Sequence, residues 1–214
     1  MRVALFGGSF DPIHRGHLRL ASAAADAFAF DRVLFAPTGR QPLKSEAATA
    51  SFADRLAMVT LACTVSGDPP AQPDPRFAVS TLDAPHPDGS PNYTVDVLTI
   101  LRQQLPGATL FVLAGADSFL DLRRWHSPDQ LLALAEWIVV SRPGFPLSRS
   151  FLDLPQLAPL ALTPPKRARI HLLATVHEDV SASELRRRLH LGDPCSSLLP
   201  PAVGDYIQSH HLYR

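Results

Sequence analysis

Apolar positions along this chain fall into two patterns that take turns. Short unbroken runs at 2–6, 31–37, 109–114, 137–141 and 169–173 are rich in Val, Leu, Phe and Ile, and 76–82 alternates apolar with polar. Unbroken runs of that length predict strands buried on both faces, as in a parallel sheet. Between them, apolar residues recur at helical spacing over 18–29, 51–65, 93–104, 128–135, 181–191 and 200–210. The ends are marked. Ser51 and Ser181 stand where an N-cap belongs, Ser127-Pro128 offers a cap followed by Pro at the first helical position, and Pro106-Gly107 and Gly192 follow helix ends.

Strands alternating with helices throughout predict an α/β fold: a Rossmann-like, doubly wound parallel sheet with helices on both faces. No repeat and no linker interrupts the pattern, so one domain is expected over 1–214, with a helical part at 177–214. Proline breaks up 68–75, read as a surface loop, and 145–165, read as a peripheral excursion with a short helix near 152–157. In parallel sheets ligands sit beyond the carboxyl ends of the strands. The loops leaving strands, at 7–17, 37–44, 115–118, 141–144 and 177–186, are the ones rich in chemistry.

Composition narrows the field. Lys plus Arg equals Asp plus Glu at 20 each, so no basic excess marks a nucleic-acid coat. The two cysteines, Cys63 and Cys195, form no C-x-x-C pair and read as reduced thiols. No apolar run has the length of a signal peptide or a membrane span. A cytoplasmic protein without nucleic-acid or membrane partners is expected, with homo-oligomerisation left open.

The densest chemistry follows the first strand: Gly7-Gly8-Ser9-Phe10-Asp11-Pro12-Ile13-His14-Arg15-Gly16-His17. Strand, Gly-rich turn and helix start place backbone N–H groups where an anion would sit. His14 and His17, three apart, can face one ligand. A metal site is the competing reading, but no third ligand stands at a suitable spacing. The stretch is neither a Walker loop nor a G-x-G-x-x-G fingerprint. A second anion site is offered by Ser181, Ser183 and Arg186, against the plainer reading of a capping box with Glu184 and a solvated arginine face.

Gly8 to His17 resembles the G-x-F-x-P-x-H-x-G-H signature of the H-x-G-H nucleotidylyltransferases, and Ser181-Ala182-Ser183-Glu184-Leu185-Arg186 is similar to their I-S-S-T-x-I-R signature. Asn92-Tyr93-Thr94-Val95-Asp96, Gly115-Ala116-Asp117-Ser118 followed by Trp125, Ser141-Arg142-Pro143-Gly144, and Leu199-Pro200-Pro201-Ala202-Val203 through Leu212-Tyr213 resemble the bacterial nicotinate-nucleotide adenylyltransferases. That resemblance implies AMP transfer from ATP to nicotinate mononucleotide, giving deamido-NAD and pyrophosphate, with Mg²⁺ carried by the ATP phosphates. It implies that His14 and His17 contact those phosphates, His17 nearest the transferred group. Gly8, Ser9 and Phe10 would lie along the nucleotides. Lys44 would reach phosphate, and Ser181, Ser183 and Arg186 would hold the β- and γ-phosphates. Asp117 would meet a ribose hydroxyl and Arg142 the adenosine side. Thr94, Trp125 and the backbone of His126 would form the pyridine pocket, with Trp125 stacking near the ring. The chain departs from the family at Gln41-Pro42-Leu43-Lys44, where Pro-Pro-His-Lys is usual, at Ser183 and Leu185, and at Asp83-Ala84-Pro85-His86-Pro87. A related nicotinamide-nucleotide or phosphopantetheine adenylyltransferase, and a silent nucleotide-binding protein, remain as alternatives.

Overall fold

The computed structural model of the chain describes residues 1–40, 43, 48–64, 73–141, 147–174 and 181–214. The strands are β1 (Arg2–Gly8), β2 (Arg32–Pro37), β3 (Phe77–Val79), β4 (Thr109–Gly115), β5 (Glu136–Val140) and β6 (Ile170–Leu173). All pair in parallel, in the order β3-β2-β1-β4-β5-β6. Helices α1 (Arg15–Ala27) and α2 (Phe52–Thr64) follow β1 and β2. The helices α3 (Thr94–Gln104), α4 (Ala116–Leu120), α5 (Pro128–Leu134) and α6 (Pro164–Arg167) come next, and α7 (Ala182–His190) and α8 (Pro201–Ser209) close the chain. This is the doubly wound sheet expected from the sequence.

The unbroken apolar runs have the predicted cause. Successive side chains of a strand point to opposite faces, and here both faces are covered. Ala4, Phe6, Val33, Phe35, Phe111 and Ile138 pack under α1, α2, α7 and α8. Val3, Leu5, Leu34, Val112, Trp137 and Val139 pack under α3, α4 and α5. On α1 the buried positions are Gly16, Ala21, Ala24 and Ala25, small enough to let the helix lie close to the sheet. Cys63 and Trp137 are core, and no helix among the described residues is long and apolar enough to cross a membrane.

Several boundaries differ from the sequence reading. Helix α1 starts at Arg15 and not at 18, because extended His14 serves as N-cap and its carbonyl accepts from His17 and Leu18 N–H. Helix α4 starts directly at Ala116, so 115–118 is no loop. Strand β3 is only three residues long. The short helix expected near 152–157 is two 3₁₀ helices, Arg149–Asp153 and Pro155–Leu160. Ser127 makes no side-chain cap and adopts φ 53°, although Pro128 does open α5. Most of 68–75 lies outside the described residues.

Just past β2, Gly39 is enclosed by a neighbouring turn. A Cβ there would stand 2.5 Å from the Pro85 nitrogen and 2.8 Å from the Asp83 carbonyl oxygen. The Gly39 N–H donates to that same carbonyl at 2.7 Å, so the strand cannot move away without losing the bond. Gly39→Ala is therefore expected to destabilise the fold by about 1–3 kcal/mol, read by denaturant unfolding.

Candidate active site

Strand β1 carries its Gly-rich end to the point where the two wings of the sheet diverge, with β2 on one side and β4 on the other. Such a switch point opens a crevice beyond the strand ends. Here Phe10 takes a left-handed backbone, φ 46°, and its ring folds inward. The residue is 2% exposed, and its ring stands edge-on to Phe6 at 5.4 Å and to His17 at 5.1 Å. A Cβ on Gly8 would come 3.2 Å from that ring, so glycine is what lets the ring tuck back. The Phe10 ring is thus core, and its backbone is the part that can border a nucleotide.

His14 and His17 lie face to face, ring centroids 3.7 Å apart. His14 is 5% exposed and His17 half-buried. The His14 N–H donates to His17 Nδ1 at 3.2 Å. A ring that accepts at Nδ1 carries its proton, when neutral, on Nε2. The helix start thereby selects the tautomer of His17 and makes Nε2 a donor.

Asp11 is the anchor of the loop. It is 3% exposed, and its carboxylate accepts from Thr49 N–H at 2.7 Å, Ala50 N–H at 3.1 Å and the Tyr213 hydroxyl at 2.7 Å. Its carbonyl accepts from Arg186 Nη1 at 2.7 Å. Burial, then the bond to Asp11, push the Tyr213 phenol far above its ordinary pKa, so it stays a donor. Arg55, 2% exposed, joins from α2, where Nη1 donates to the Ser9 carbonyl at 2.7 Å and Nε to the Ala50 carbonyl at 3.3 Å. Burial lowers the Arg55 pKa, while Asp11, Tyr213 and Asp83 oppose that shift.

The Arg186 contact joins the two signatures. Arg186 Nη2 also donates to Ser183 Oγ at 3.3 Å. Ser181 caps α7, accepting from Glu184 N–H at 3.2 Å, while the Glu184 carboxylate turns to Arg187 and not back to the cap. Beside this helix an open cavity of about 270 Å³ is lined by Thr49, Arg186, Arg187, His190, Tyr213 and Arg214; three arginines make it cationic, and of the residues expected to hold phosphate Arg186 is the one that borders it among those described.

The second loop is tied to the first through Thr38, whose N–H donates to the Gly8 carbonyl at 2.9 Å. Thr38 also bonds the side chain of buried Asp83, which burial pushes up to about 6. Lys44 and Arg142 fall outside the described residues.

On the other face of the sheet, His126 stacks on Tyr93 with centroids 4.3 Å apart. This brings the start of α3, where Thr94 is the first residue, beside Trp125 and His126. Trp125 is half-buried, edge-on to Trp137 at 5.8 Å. Asp117 sits in the first turn of α4, half-buried. Asn92, just before Tyr93, donates from Nδ2 to the Ala84 carbonyl at 2.7 Å; among the described residues its buried Oδ1 and the buried Ser141 hydroxyl have no hydrogen-bond partner.

Sequence reasoning passed over Asp11, Arg55, Tyr93 and Tyr213 as side chains with a task. One signal was present for Arg55. It occupies the same stripe of α2 as Met58, Val59 and Ala62, three, four and seven residues on, so an arginine stands on the buried face.

A family model described as cytidylyltransferase-like matches residues 5–188. The chain belongs to the cytidylyltransferase-like family. Within that family it is similar to a probable nicotinate-nucleotide adenylyltransferase of Thermus thermophilus, 38% identical over 214 residues that cover 100% of both chains. It is also similar to one of Neisseria meningitidis serogroup B, 39% identical over 213 residues, 100% of this chain and 98% of that one. A solved nicotinic acid mononucleotide adenylyltransferase of Plasmodium falciparum, complexed with NaAD, shares the fold. Its TM-score is 0.77 over 99% of this chain and 97% of that one, at 20% identity.

Among the described residues no group of three or more His, Cys, Asp or Glu side chains stands where it could hold a metal ion.

Asp83 gives a pH test of this family member. Its folded pKa of about 6 exceeds the unfolded value of about 3.9. The folded state therefore binds the proton more tightly, and this carboxyl withdraws stability as pH rises between those values, with no further change above. Asp83→Asn should remove that component. The variant should gain stability relative to the parent from pH 4 to pH 7, by on the order of 2 kcal/mol, in denaturant titrations at several pH values.

Proposed function

We propose that this protein is a nucleotidyltransferase that moves AMP from ATP to nicotinate mononucleotide, releasing pyrophosphate and forming deamido-NAD, a step of NAD biosynthesis. The observation that carries this reading is the bond from Arg186 to the Asp11 carbonyl. It closes 175 residues of chain and sets the second signature against the first.

The 5′-phosphate of nicotinate mononucleotide is already an anion. One of its oxygens forms a bond to the α-phosphorus of ATP as the bond from that phosphorus to the bridging oxygen breaks, and pyrophosphate leaves. Such a reaction needs alignment and charge stabilisation more than a base or a nucleophile. His17, its tautomer set by the His14 N–H, offers Nε2–H to an α-phosphate oxygen, and His14 lies against it. The Gly8–Ser9 backbone lines the approach, joined at Phe10 by backbone alone. Ser181, Ser183 and Arg186 take the β- and γ-phosphates, and Lys44 and Arg142 would complete the phosphate and adenosine sides. Asp117 accepts from a ribose hydroxyl. Thr94, Trp125 and His126 receive the pyridine ring, with Tyr93 behind His126. Magnesium bound by the ATP phosphates supplies charge shielding. In this reading the whole of 1–214 acts as one domain, the part from 177 onward completes the ATP site, and the protein works in the cytoplasm.

Pyrophosphate release from ATP and Mg²⁺, measured in parallel with nicotinate mononucleotide, nicotinamide mononucleotide and phosphopantetheine, is expected to be fastest with the first. Turnover with either of the others and none with the first would sink the assignment. His17→Ala is expected to lower turnover about 10²–10³-fold while the melting temperature changes little, because a preorganised donor to the transferring group is lost. Unchanged turnover in a folded variant would take His17 out of the mechanism.

A further inference from the structure

Two tyrosines near the end of the chain donate to aspartates far back in the sequence, and the pair makes a natural contrast. Tyr206 of α8 donates to Asp54 of α2 at 3.0 Å, at a half-buried seam between two helices. Tyr213 donates to Asp11 at 2.7 Å, and both of those groups are buried. The two bonds are chemically alike and span 152 and 202 residues. Only the second reaches the phosphate-binding loop. Asp11 has few ways to move. Its carboxylate oxygens are shared among Tyr213, Thr49 and Ala50, its own carbonyl holds Arg186, and Arg186 Nη1 also stands 3.8 Å from Oδ2. Tyr213 also lines the cationic cavity beside Arg186 and Arg187.

We infer that Tyr213 is a positioning residue for the triphosphate. By fixing the Asp11 carboxylate it orients the Asp11 peptide and carboxylate together, which hold the Arg186 guanidinium beside Ser183. It touches no reacting atom. Without the hydroxyl, Asp11 Oδ1 keeps one weaker partner, the Ala50 N–H, and the peptide that directs Arg186 gains freedom. Nothing in this chain of contacts reaches Tyr93, Trp125 or His126, so the effect falls on ATP and not on the pyridine nucleotide. The inference rests on the proposed ATP site.

The test compares Tyr213→Phe with Tyr206→Phe. Each loses one hydroxyl donated to a carboxylate, and both should fold with a modestly lowered melting temperature. Calorimetric binding of Mg-ATP without the second substrate should weaken about three- to tenfold in Tyr213→Phe, the scale of part of one charged hydrogen bond. It should stay at the parental value in Tyr206→Phe. In turnover assays the KM for ATP should rise in Tyr213→Phe, with the KM for the pyridine nucleotide held. Parental ATP affinity in Tyr213→Phe, or equal weakening in both variants, would overturn the inference. The binding measurement needs no acceptor, so failure of the proposed reaction with nicotinate mononucleotide would be seen separately.

Discussion

A carboxylate removed from water must find donors nearby, since each unmet lone pair carries a desolvation cost. Asp11 meets that demand with groups drawn from widely separated stretches: the 49–50 backbone, the Tyr213 hydroxyl and the Arg186 guanidinium, whose Nη1 stands 3.8 Å from Oδ2 while donating to the Asp11 carbonyl. Arg55 adds a buried positive charge from α2 and holds the Ser9 carbonyl. Loop 7–17 is therefore not free to choose its shape. The aspartate collects α2, α7 and the last residues around one point, and the two imidazoles stand at the start of the helix that follows it.

The sheet sorts the chemistry by face. Helices α1, α2, α7 and α8 lie on the face that bears the histidines, Arg186 and the cationic cavity. Helices α3, α4 and α5 lie on the other, with Tyr93, Trp125 and His126 at their ends. A ligand carrying a polyphosphate at one end and an aromatic ring at the other can straddle the strand ends where β1 adjoins β4. The doubly wound topology permits this because it reverses direction at that point. The pieces that would grip phosphate and the pieces that would grip a ring then belong to separate cores.

What was legible in the sequence depended on how locally each feature is specified. Runs such as 109–114, apolar at nearly every position, could only be covered on both faces, and the order of elements followed. The motif at 8–17 was legible because turn, cap and histidines are neighbours in the chain. The start of α1 was placed late because Arg15 and Gly16 carry no apolar signal, while the extended cap at His14 is a backbone property. Phe10 as core was hidden, since an aromatic beside glycines in a loop gives no period. Asp11 and Tyr213 were hidden more deeply. Nothing within a few residues of either shows that a partner lies 202 positions away, and buried polar pairs have no periodic signature.

That separation has a consequence in time. Closing a contact between residues 11 and 213 fixes nearly the whole chain as one loop, which costs entropy before any bond is gained. Long-range closures of this kind come late in folding. The neighbouring strands β1, β2 and β4 can pair, and the core under α3, α4 and α5 can fill, while Asp11 is still wet; the other core, which includes Phe10, Ile13 and Tyr213, is completed only with that contact. The phosphate-facing loop should thus be the last part to acquire its shape and among the first to lose it, in a local opening that leaves the sheet intact. Exchange of the Thr49 and Ala50 amide hydrogens, both held by Asp11, would report such an opening. Amides of β4 exchanging at the same rate would show instead that loop and sheet open together.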